Sequence, residues 1–400
     1  MMEIGSWRSK HSSEIADFQS SVITLNNRSM SLSLSSDNIF AYLADRKIVP
    51  SESAQDWKVE HSGGKNFNLI IRNLAGAGIF LKQERFDWDG DTLGELLNES
   101  AVCQLLEKIA AAEGINNHFC QQIIDRDPQR SVIISQFLQD YQNLEAIYTG
   151  DRLKWSLAIP TALGKVIATI HQSTWNRIDY RDWLIKELGG KLQVSFIKIG
   201  RLTPEIFADT PADGIKFHML YQRYESLEQA IDNLISRSRS SCLIHGDFKL
   251  NNILLDPAAL AVRPIDWERG TWGDPALDLG SLIASYLLLW LDSLVVQRTM
   301  KIEETLQLAV VPLDAIRPSI SAFISGYIQQ FPAIIDLDPD FATKTIQFAG
   351  VSLIIQVLAS IQYQKVFTNS GIATLQVAKS LLCRPIESMS IVCDRSSFDR

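Results

Sequence analysis

The chain has 400 residues, of which 46% are hydrophobic and 21% are charged, as in an ordinary globular protein with two or three domains or two lobes. A formal net charge of -8 argues against broad binding of nucleic acids, which requires a basic face. The five cysteines are scattered without C-x-x-C spacing, which indicates reduced thiols in a cytosolic protein rather than a disulfide framework or a zinc site.

The first part of the chain is predicted to form a small α+β lobe. Residues 1–36 are polar and Ser-rich, without the features of a signal peptide, and are expected to be an arm. A short helix is predicted over 37–45, where Ser and Asp precede an apolar run. Residues 57–83 alternate in the manner of strands and predict a three-stranded antiparallel meander, with turns at the glycines 63, 64, 76 and 78.

The remaining elements of this lobe are one helix and one further strand. Residues 91–114 have Leu and Val at helical spacing and end at Gly114. The segment SVIISQFL, residues 131–138, predicts another strand. The first lobe is therefore expected to span residues 37–138.

Beyond residue 139 the pattern is mainly helical and predicts a second, larger lobe over residues 139–400. Its region 174–240 is rich in aromatic residues. The most apolar stretch, 279–296, is short for a membrane span and is interrupted by Asp292, so a buried helix is the preferred interpretation. No membrane partner is predicted.

One short segment places unusual polar groups between apolar ends. Residues 242–254 read CLIHGDFKLNNIL, and His245, Asp247 and Asn252 give the spacing H-x-D-x-x-x-x-N. Asp266 follows in the apolar setting PIDW. Such groups are costly to bury unpaired, whereas phosphoryl transfer needs a carboxylate at the acceptor hydroxyl, and an amide oxygen and a second carboxylate at a metal ion.

A lysine and a glutamate in the first lobe complete the constellation. Lys82 lies on the third predicted strand and Glu99 on the helix after it. A strand lysine that is paired with a helix glutamate can be held rigidly against two phosphate oxygens. Taken alone, the two residues are equally compatible with a solvated strand lysine and a surface glutamate.

Together, HGDFKLNNILL, PIDWE and DPALDLGSL resemble the aminoglycoside phosphotransferase/choline kinase family over roughly residues 37–382. The resemblance implies an α+β, bilobal, protein-kinase-like fold and the use of ATP and Mg²⁺. It implies that the first lobe, residues 37–138, binds the nucleotide, and that the region 174–240 of the second lobe is an insertion that forms the acceptor site. It implies that Asp247 is the catalytic base or positions the hydroxyl. It also implies that Asn252 and Asp266 ligate Mg²⁺, and that Lys82 contacts the α- and β-phosphates with Glu99 holding it.

The resemblance extends to residues that would support these groups. Gln136, Phe137 and Leu138 would form the hinge at which backbone groups meet adenine. Ser62, Gly63, Gly64 and Lys65 would form the phosphate-covering turn, although a plain hairpin explains the same letters. His245 would be a structural member of the loop. Asp278 would brace the catalytic loop from the start of a helix, or would cap that helix.

Two residues depart from the common pattern. Lys249, two residues after Asp247, occupies the position where Ser/Thr protein kinases carry a lysine that neutralises charge on the transferred phosphoryl group. It is equally readable as a solvated loop lysine. Glu268 stands where protein kinases have glycine, and is open to interpretation as a group that supports the metal ligands from behind, as an outer metal ligand or as a partner of Arg269.

Three functions remain open from the sequence. The chain is predicted to be an ATP-dependent kinase of a small hydroxylated molecule, such as an aminoglycoside, choline or a sugar. The second reading is a Ser/Thr kinase of a peptide in lanthipeptide-type biosynthesis, which would work with a partner lyase. The third is a pseudokinase that serves as a binding module.

Overall fold

The computed structural model describes residues 33–49, 57–73, 78–87, 91–114, 119–150, 156–190, 192, 211–294 and 308–399. The chain divides into two compact units, Met1–Gly94 with Asp125–Ile134 and Glu95–Ile124 with Ser135–Arg400. Of the predicted arm over residues 1–36, residues 1–32 lie outside the described residues. Of the predicted insertion over residues 174–240, residues 191 and 193–210 lie outside them as well.

The first unit is built on an antiparallel sheet. Its elements are α1 (Ile39–Asp45), β1 (Trp57–Ser62), β2 (Phe67–Asn73), β3 (Gly78–Gln83), β4 (Ile123–Asp127) and β5 (Val132–Gln136), of which the last two cross the unit boundary. The strand order is β1-β2-β3-β5-β4. Val59 pairs with Ile71 and Ile71 with Ile79, so the alternating apolar residues share one face. The predicted meander and the predicted strand over 131–138 are both present.

The core of this unit lies between one face of the sheet and the helix α1. Leu69, Ile71 and Leu81 are fully buried and cluster with Ile39 and Leu43 of the helix. The strand β4 was not predicted. Its sequence IIDRD has two apolar residues followed by three charged ones, which is not the alternation of a half-buried strand.

An arginine on the segment after α1 fixes β4 to the helix. The Arg46 guanidinium donates to both oxygens of Asp125, at 3.0 Å for Oδ1, and to Asp127 Oδ2 at 3.2 Å. The hydrogen bond from Arg46 lowers the pKa of Asp125 from its ordinary value. The strand β4 is therefore held in place by ion pairs of its charged residues. It lacks the alternating apolar side chains that would ordinarily identify a strand in the sequence.

The second unit is mainly helical. Its helices are α2 (Glu95–Glu113), α3 (Leu144–Thr149), α4 (Ala158–Thr174), α5 (Ile178–Glu187), α6 (Ala212–Tyr221), α7 (Glu225–Arg237), α8 (Pro275–Leu291), α9 (Leu313–Gln330), α10 (Ile334–Leu337), α11 (Phe341–Gln364), α12 (Asn369–Cys383) and α13 (Pro385–Val392). Its short strands are β6 (Gln142–Asn143), β7 (Cys242–Ile244), β8 (Ile253–Asp256), β9 (Ala261–Pro264) and β10 (Thr271–Gly273).

Four long helices form the centre of this unit. Two of them, α4 and α9, approach each other closely at glycines. A Cβ on Gly164 would lie 2.2 Å from the carbonyl oxygen of Phe323. A Cβ on Gly326 would lie 2.4 Å from the carbonyl oxygen of Thr161. The others, α8 and α11, pack against each other, and a Cβ on Gly280 would lie 2.5 Å from Phe348 Cβ. Small residues at these crossings bring the helices that carry the site close together.

The apolar segment predicted as a buried helix is α8, and nearly every side chain from Pro275 to Leu287 is buried. Among the described residues, one helix, α11, is long and apolar enough to span a membrane by length and composition. The greater part of its apolar window, 61%, is buried inside the protein. It therefore has the character of a core helix.

The helix α2 belongs to the second unit, although the sequence analysis assigned it to the nucleotide-binding lobe over 37–138. The reason is its packing: Asn98 of α2 hydrogen-bonds to the carbonyl oxygens of Glu268 and Gly270 at 3.0 and 2.8 Å. The predicted lobe boundaries themselves describe a functional division and stay a prediction.

Candidate active site

The polar segment 245–252 follows the buried strand β7 and precedes β8. All three residues of β7 are buried, and β7 pairs with β10 just before α8 begins. The strand β8 pairs with β9, and Asp266 follows β9 by two residues. Two short strand pairs therefore bring the loop that contains Asp247 and the loop that contains Asp266 together.

A buried carboxylate holds the backbone of the first loop. Asp278, in the first turn of α8 and fully buried, accepts the N–H of His245 through Oδ2 at 2.7 Å and the N–H of Gly246 through Oδ1 at 2.9 Å. Asp278 Oδ2 also accepts from His171 Nε2 at 3.2 Å. The bracing role predicted for Asp278 is thus present, and the cap of α8 is instead Asp274, which accepts from Ala276 N–H.

The fully buried imidazole of His245 joins the two loops. Its Nε2 lies 2.9 Å from the Ile265 carbonyl oxygen, and its Nδ1 lies 3.3 Å from the Asp247 amide nitrogen. Because a carbonyl only accepts and an amide N–H only donates, Nε2 carries the proton and Nδ1 accepts. His245 therefore joins the two loops through its hydrogen bonds, which is the structural role that the resemblance implied.

Asp247 is anchored through one of its two carboxylate oxygens. Oδ2 lies 2.9 Å from Lys249 Nζ and accepts from Asn252 Nδ2 at 3.1 Å. Asn252 Nδ2 also donates to the Asp247 carbonyl oxygen at 3.0 Å. Oδ1 accepts no hydrogen bond from the described residues, so the carboxylate is oriented while one oxygen stays available.

Gly246 permits the sharp turn between His245 and Asp247. Its φ is +76°, a left-handed conformation that favours glycine. A Cβ at this position would lie 2.5 Å from the carbonyl oxygen of Arg269. The turn therefore excludes any side chain for both conformational and steric reasons.

Asp266 and Asn252 lie on neighbouring loops, and their role as Mg²⁺ ligands stays a prediction. Asp266 adopts φ +60° and ψ +56°, an uncommon conformation for a residue with a side chain and one that clusters at functional sites. Ile265 N–H donates to the Asn252 carbonyl at 2.9 Å, which fixes the two residues next to each other along the loops. The side-chain nitrogen of Asn252 is occupied by Asp247, which leaves its Oδ1 as an oxygen ligand of the kind Mg²⁺ prefers.

Cys242 lies in the buried strand β7. It is fully buried, and burial raises its pKa well above the ordinary value, so it remains a neutral thiol. Among the described residues there is no cluster of three His, Cys, Asp or Glu side chains that could hold a metal ion.

A cavity of about 270 Å³ opens beside the catalytic loop within the second unit. Asp247 and Lys249 form part of its wall, together with Glu95, Glu145 and Arg269. Hydroxyl groups of Ser281, Ser285 and Ser352 and the apolar Leu277, Leu288 and Ile355 line it as well. Its size and mixed lining are those of a site for part of a small molecule.

The nucleotide-binding residues predicted in the first unit occupy a strand and a hairpin. Lys82 is buried in β3 opposite Asn68 of β2. Ser62 ends β1, and Gly63 and Gly64 form the turn to β2, where space around Gly63 is open. The hairpin is therefore present, whereas its role as a phosphate cover stays a prediction.

Glu99 and the predicted hinge belong to the second unit. Glu99 is buried on α2, and its predicted pairing with Lys82 stays a prediction. Gln136 ends β5 and donates its N–H to the Gln122 carbonyl oxygen at 2.9 Å. Phe137 and Leu138 follow in irregular backbone, and their contact with adenine stays a prediction.

Two supporting residues were not predicted. His171 lies on the buried face of α4, between Asp278 and Tyr327. Its Nδ1 is 3.0 Å from the hydroxyl oxygen of Tyr327. Asn98 holds the loop after Asp266 through its two hydrogen bonds to backbone carbonyls. The only sequence signal was a histidine and an asparagine on helix faces that are otherwise apolar.

Comparisons with known proteins bear on the family and the fold of this chain. The sequence model described as the phosphotransferase enzyme family, APH, matches residues 95–301, more than half of the chain. An ethanolamine kinase of Plasmodium vivax superposes with a TM-score of 0.55 over 98% of both chains at 13% identity, which shows the fold. The choline kinase LicA of Streptococcus pneumoniae gives 0.45 at 16% identity, over 84% of this chain and 98% of that one. The predicted α+β, protein-kinase-like fold is confirmed.

The curated relatives match only a short segment. Acyl-CoA dehydrogenase family member 11 of Rattus norvegicus is 44% identical over 55 residues, which are 14% of this chain and 7% of that protein. Family member 10 of Mus musculus is 38% identical over 65 residues, 16% of this chain and 6% of that protein. The chain thus aligns with a small fraction of the length of these relatives.

Proposed function

The chain belongs to the phosphotransferase enzyme family, and we propose that it transfers the γ-phosphoryl group of ATP to a hydroxyl group of a small molecule, with Mg²⁺ as cofactor. The observation that carries this proposal is the orientation of the Asp247 carboxylate. One carboxylate oxygen is held by Lys249 and Asn252, and the residue faces a cavity large enough for part of an acceptor.

Asp247 would act on the acceptor hydroxyl. Its Oδ1 is available to accept the hydroxyl proton and to orient the oxygen toward the phosphorus. Holding Oδ2 in two interactions fixes the direction of the carboxylate, which favours a near-attack geometry. The proton moves from the hydroxyl oxygen to Oδ1 as the new O–P bond forms. The bond between the γ-phosphorus and the bridging oxygen breaks at the same time, and ADP leaves.

Lys249 and the pair of Asn252 and Asp266 would balance charge on the phosphates. The Lys249 ammonium lies beside the same cavity as Asp247 and would neutralise charge on the transferred group. Asn252 Oδ1 and the Asp266 carboxylate would hold Mg²⁺. When bound, the metal neutralises the phosphate oxygens and orients them.

The remaining predicted site residues would bind the rest of the nucleotide. The buried Lys82 would contact the α- and β-phosphates, supported by Glu99, and the turn of Ser62, Gly63 and Gly64 would cover them. Adenine would meet the backbone of Gln136, Phe137 and Leu138. We further propose a cytoplasmic location, where ATP is abundant and the five free thiols stay reduced.

The test is a transfer assay with the full chain and Mg·ATP against two acceptor panels. One panel contains small alcohols, including sugars, aminoglycosides, choline and ethanolamine, and the other contains Ser/Thr peptides. Products are identified by a mass gain of one phosphoryl group, with a sample containing a chelator of Mg²⁺ as control. A phosphorylated small molecule that requires Mg²⁺ supports the proposal. Phosphorylation of peptides alone contradicts it, and failure to bind Mg·ATP would indicate a pseudokinase.

A further inference from the structure

A second cavity of about 620 Å³ lies beside the first within the same unit. Lys249, Leu288 and Gln356 line both cavities, so the two spaces are neighbours at these residues. The second cavity lies among the end of α8, the end of α11 and the start of α12. A molecule with its hydroxyl at Asp247 would therefore have room to extend away from the catalytic loop.

The lining of the second cavity is mixed but nearly without net charge. Among the described residues that form it, the charged groups are one ammonium, Lys249, and one carboxylate, Asp292. The others provide aliphatic and aromatic surface, such as Val357 and Phe367, and uncharged hydrogen-bonding groups, such as Ser360 and Thr374. A polycation would require several carboxylates, and a polyanion several cations.

We propose that the acceptor is an elongated amphiphile, with the reacting hydroxyl on a polar head in the first cavity and an uncharged, partly apolar body in the second. This proposal rests on the proposed phosphotransferase function, because it uses Asp247 to place the hydroxyl. The apolar part supplies affinity by leaving water, at roughly a fourfold gain for each buried methylene group. The hydroxyl and amide groups of the wall orient the polar part.

The choice of probe follows from the two cavities. Methyl β-D-glucoside and n-octyl β-D-glucoside have the same hydroxyl groups and differ only in their uncharged tail. Their dissociation constants are measured by calorimetry on the full chain, below the micelle concentration. Wild type is expected to bind the octyl compound at least about tenfold more tightly, since several methylene groups leave water.

Two variants locate the binding of the tail. Ser360 lies on the part of α11 that lines the second cavity, and Ser360→Trp fills that space. Gln362→Trp, an exposed position on the same helix outside the residues that line either cavity, is the matched control. We expect the preference for the octyl tail to fall below about threefold in Ser360→Trp and to be kept in Gln362→Trp. Val366→Trp, an exposed lining position after α11, replaces Ser360→Trp if that variant does not fold.

Several results would overturn the inference. These are no detectable binding of the octyl glucoside to wild type, equal affinity for the two glucosides, and a tail preference that is unchanged in the filled variants. Tighter binding of the polycation spermine than of the octyl glucoside would also overturn it. Binding of Mg·ATP to the same proteins is measured in parallel. Its failure in wild type would remove the phosphotransferase function, while the tail preference reports on the cavity alone.

Discussion

Gly246 illustrates how a single residue controls the catalytic loop. It separates two residues with different tasks, the buried bridge His245 and the half-exposed Asp247. The left-handed φ of +76° turns the chain between them, and the Arg269 carbonyl closes the space where a side chain would point. The direction of Asp247 therefore depends on a position without any reactive group.

We predict that Gly246→Ala destabilises the protein by about 1 to 3 kcal/mol, because alanine is strained at this φ and its Cβ meets a backbone oxygen. Transfer activity should fall at least about tenfold, because Asp247 is displaced. Thermal denaturation and the transfer rate measure the two effects.

Gly63→Ala is the stability control, because nothing lies within 4 Å of the Cβ that it introduces. Its melting temperature should equal that of wild type. A Gly246→Ala variant that is as stable and as active as wild type would show that the loop adapts to a side chain.

At the residue level, the sequence indicated the candidate reactive groups and two of their supports, His245 and Asp278, but not the supports Asn98 and His171. The spacing from His245 to Asn252 is local, so it is visible in the letters. The hydrogen bond from Asn98 to Glu268 spans 170 positions and that from His171 to Asp278 spans 107. Contacts of that separation are created by packing of whole helices, and no periodicity in one segment indicates them.

At the scale of elements, the N-terminal turn of α8 organises the site. Asp274 caps the helix and also forms a buried ion pair with Lys344 of α11. Lys344 contacts Asp338 at 2.6 Å as well. Asp278 then reaches from the same turn to the catalytic loop. The position of the loop is therefore tied to the packing of α8 on α11.

We predict that Asp278→Asn lowers the free energy of unfolding by about 1 to 3 kcal/mol. The carboxylate accepts two backbone N–H groups and the His171 imidazole, whereas an amide has one oxygen, so a buried donor loses its acceptor. Transfer should fall in parallel. Urea denaturation and the transfer rate provide the measurements.

The control for this substitution is Asp314→Asn, because the Asp314 side chain is 92% exposed and its contact with Arg317 is long, at 3.8 Å. Its unfolding free energy should stay within about 0.5 kcal/mol of wild type. If Asp278→Asn were equally mild, the carboxylate would not be what holds the loop.

A second prediction at this scale concerns α1 and β4. Arg46→Ala should destabilise the first unit by about 1 to 2 kcal/mol at pH 7, a value discounted for partial exposure of the pair. The lowered pKa of Asp125 means that this stabilisation is fully present above the unfolded value of about 4. It is lost as the pH falls through the folded value.

The measurement is the difference in melting temperature between wild type and Arg46→Ala from pH 7 to pH 2.5. The difference should start to shrink below about pH 4, where the Asp125 carboxylate of the unfolded chain becomes protonated, and should be lost as the pH falls through its lowered pKa in the folded state. Arg72→Ala, which removes a more exposed ion pair with Glu60 in the same unit, should show a smaller difference at every pH. A constant difference for Arg46→Ala would attribute its effect to packing alone.

At the scale of the whole molecule, the order of strands and helices was predictable. Apolar residues recur at every second position in the strands and at a spacing of about 3.6 residues in the helices, and clear turns separate the two kinds of segment. The meander, the helix over 91–114 and the short strands around Asp247 and Asp266 all follow from that pattern. The grouping of α2 with the second unit was not predictable, since it depends on Asn98 and on close contact of Val102 with Gly270. The shape of the acceptor space was equally hidden, because its walls come from α8, α11 and α12.

The most direct test of the account compares wild type with Asp247→Asn in two measurements on the full chain. These are the dissociation constant of Mg·ATP and the rate of γ-phosphoryl transfer to water or to the acceptor found in the panel. We predict a rate at least about 100-fold lower with nucleotide affinity changed by less than about threefold, because the amide keeps its shape but cannot accept the proton. Transfer by Asp247→Asn at the wild-type rate would contradict the assignment of Asp247 and the mechanism built on it.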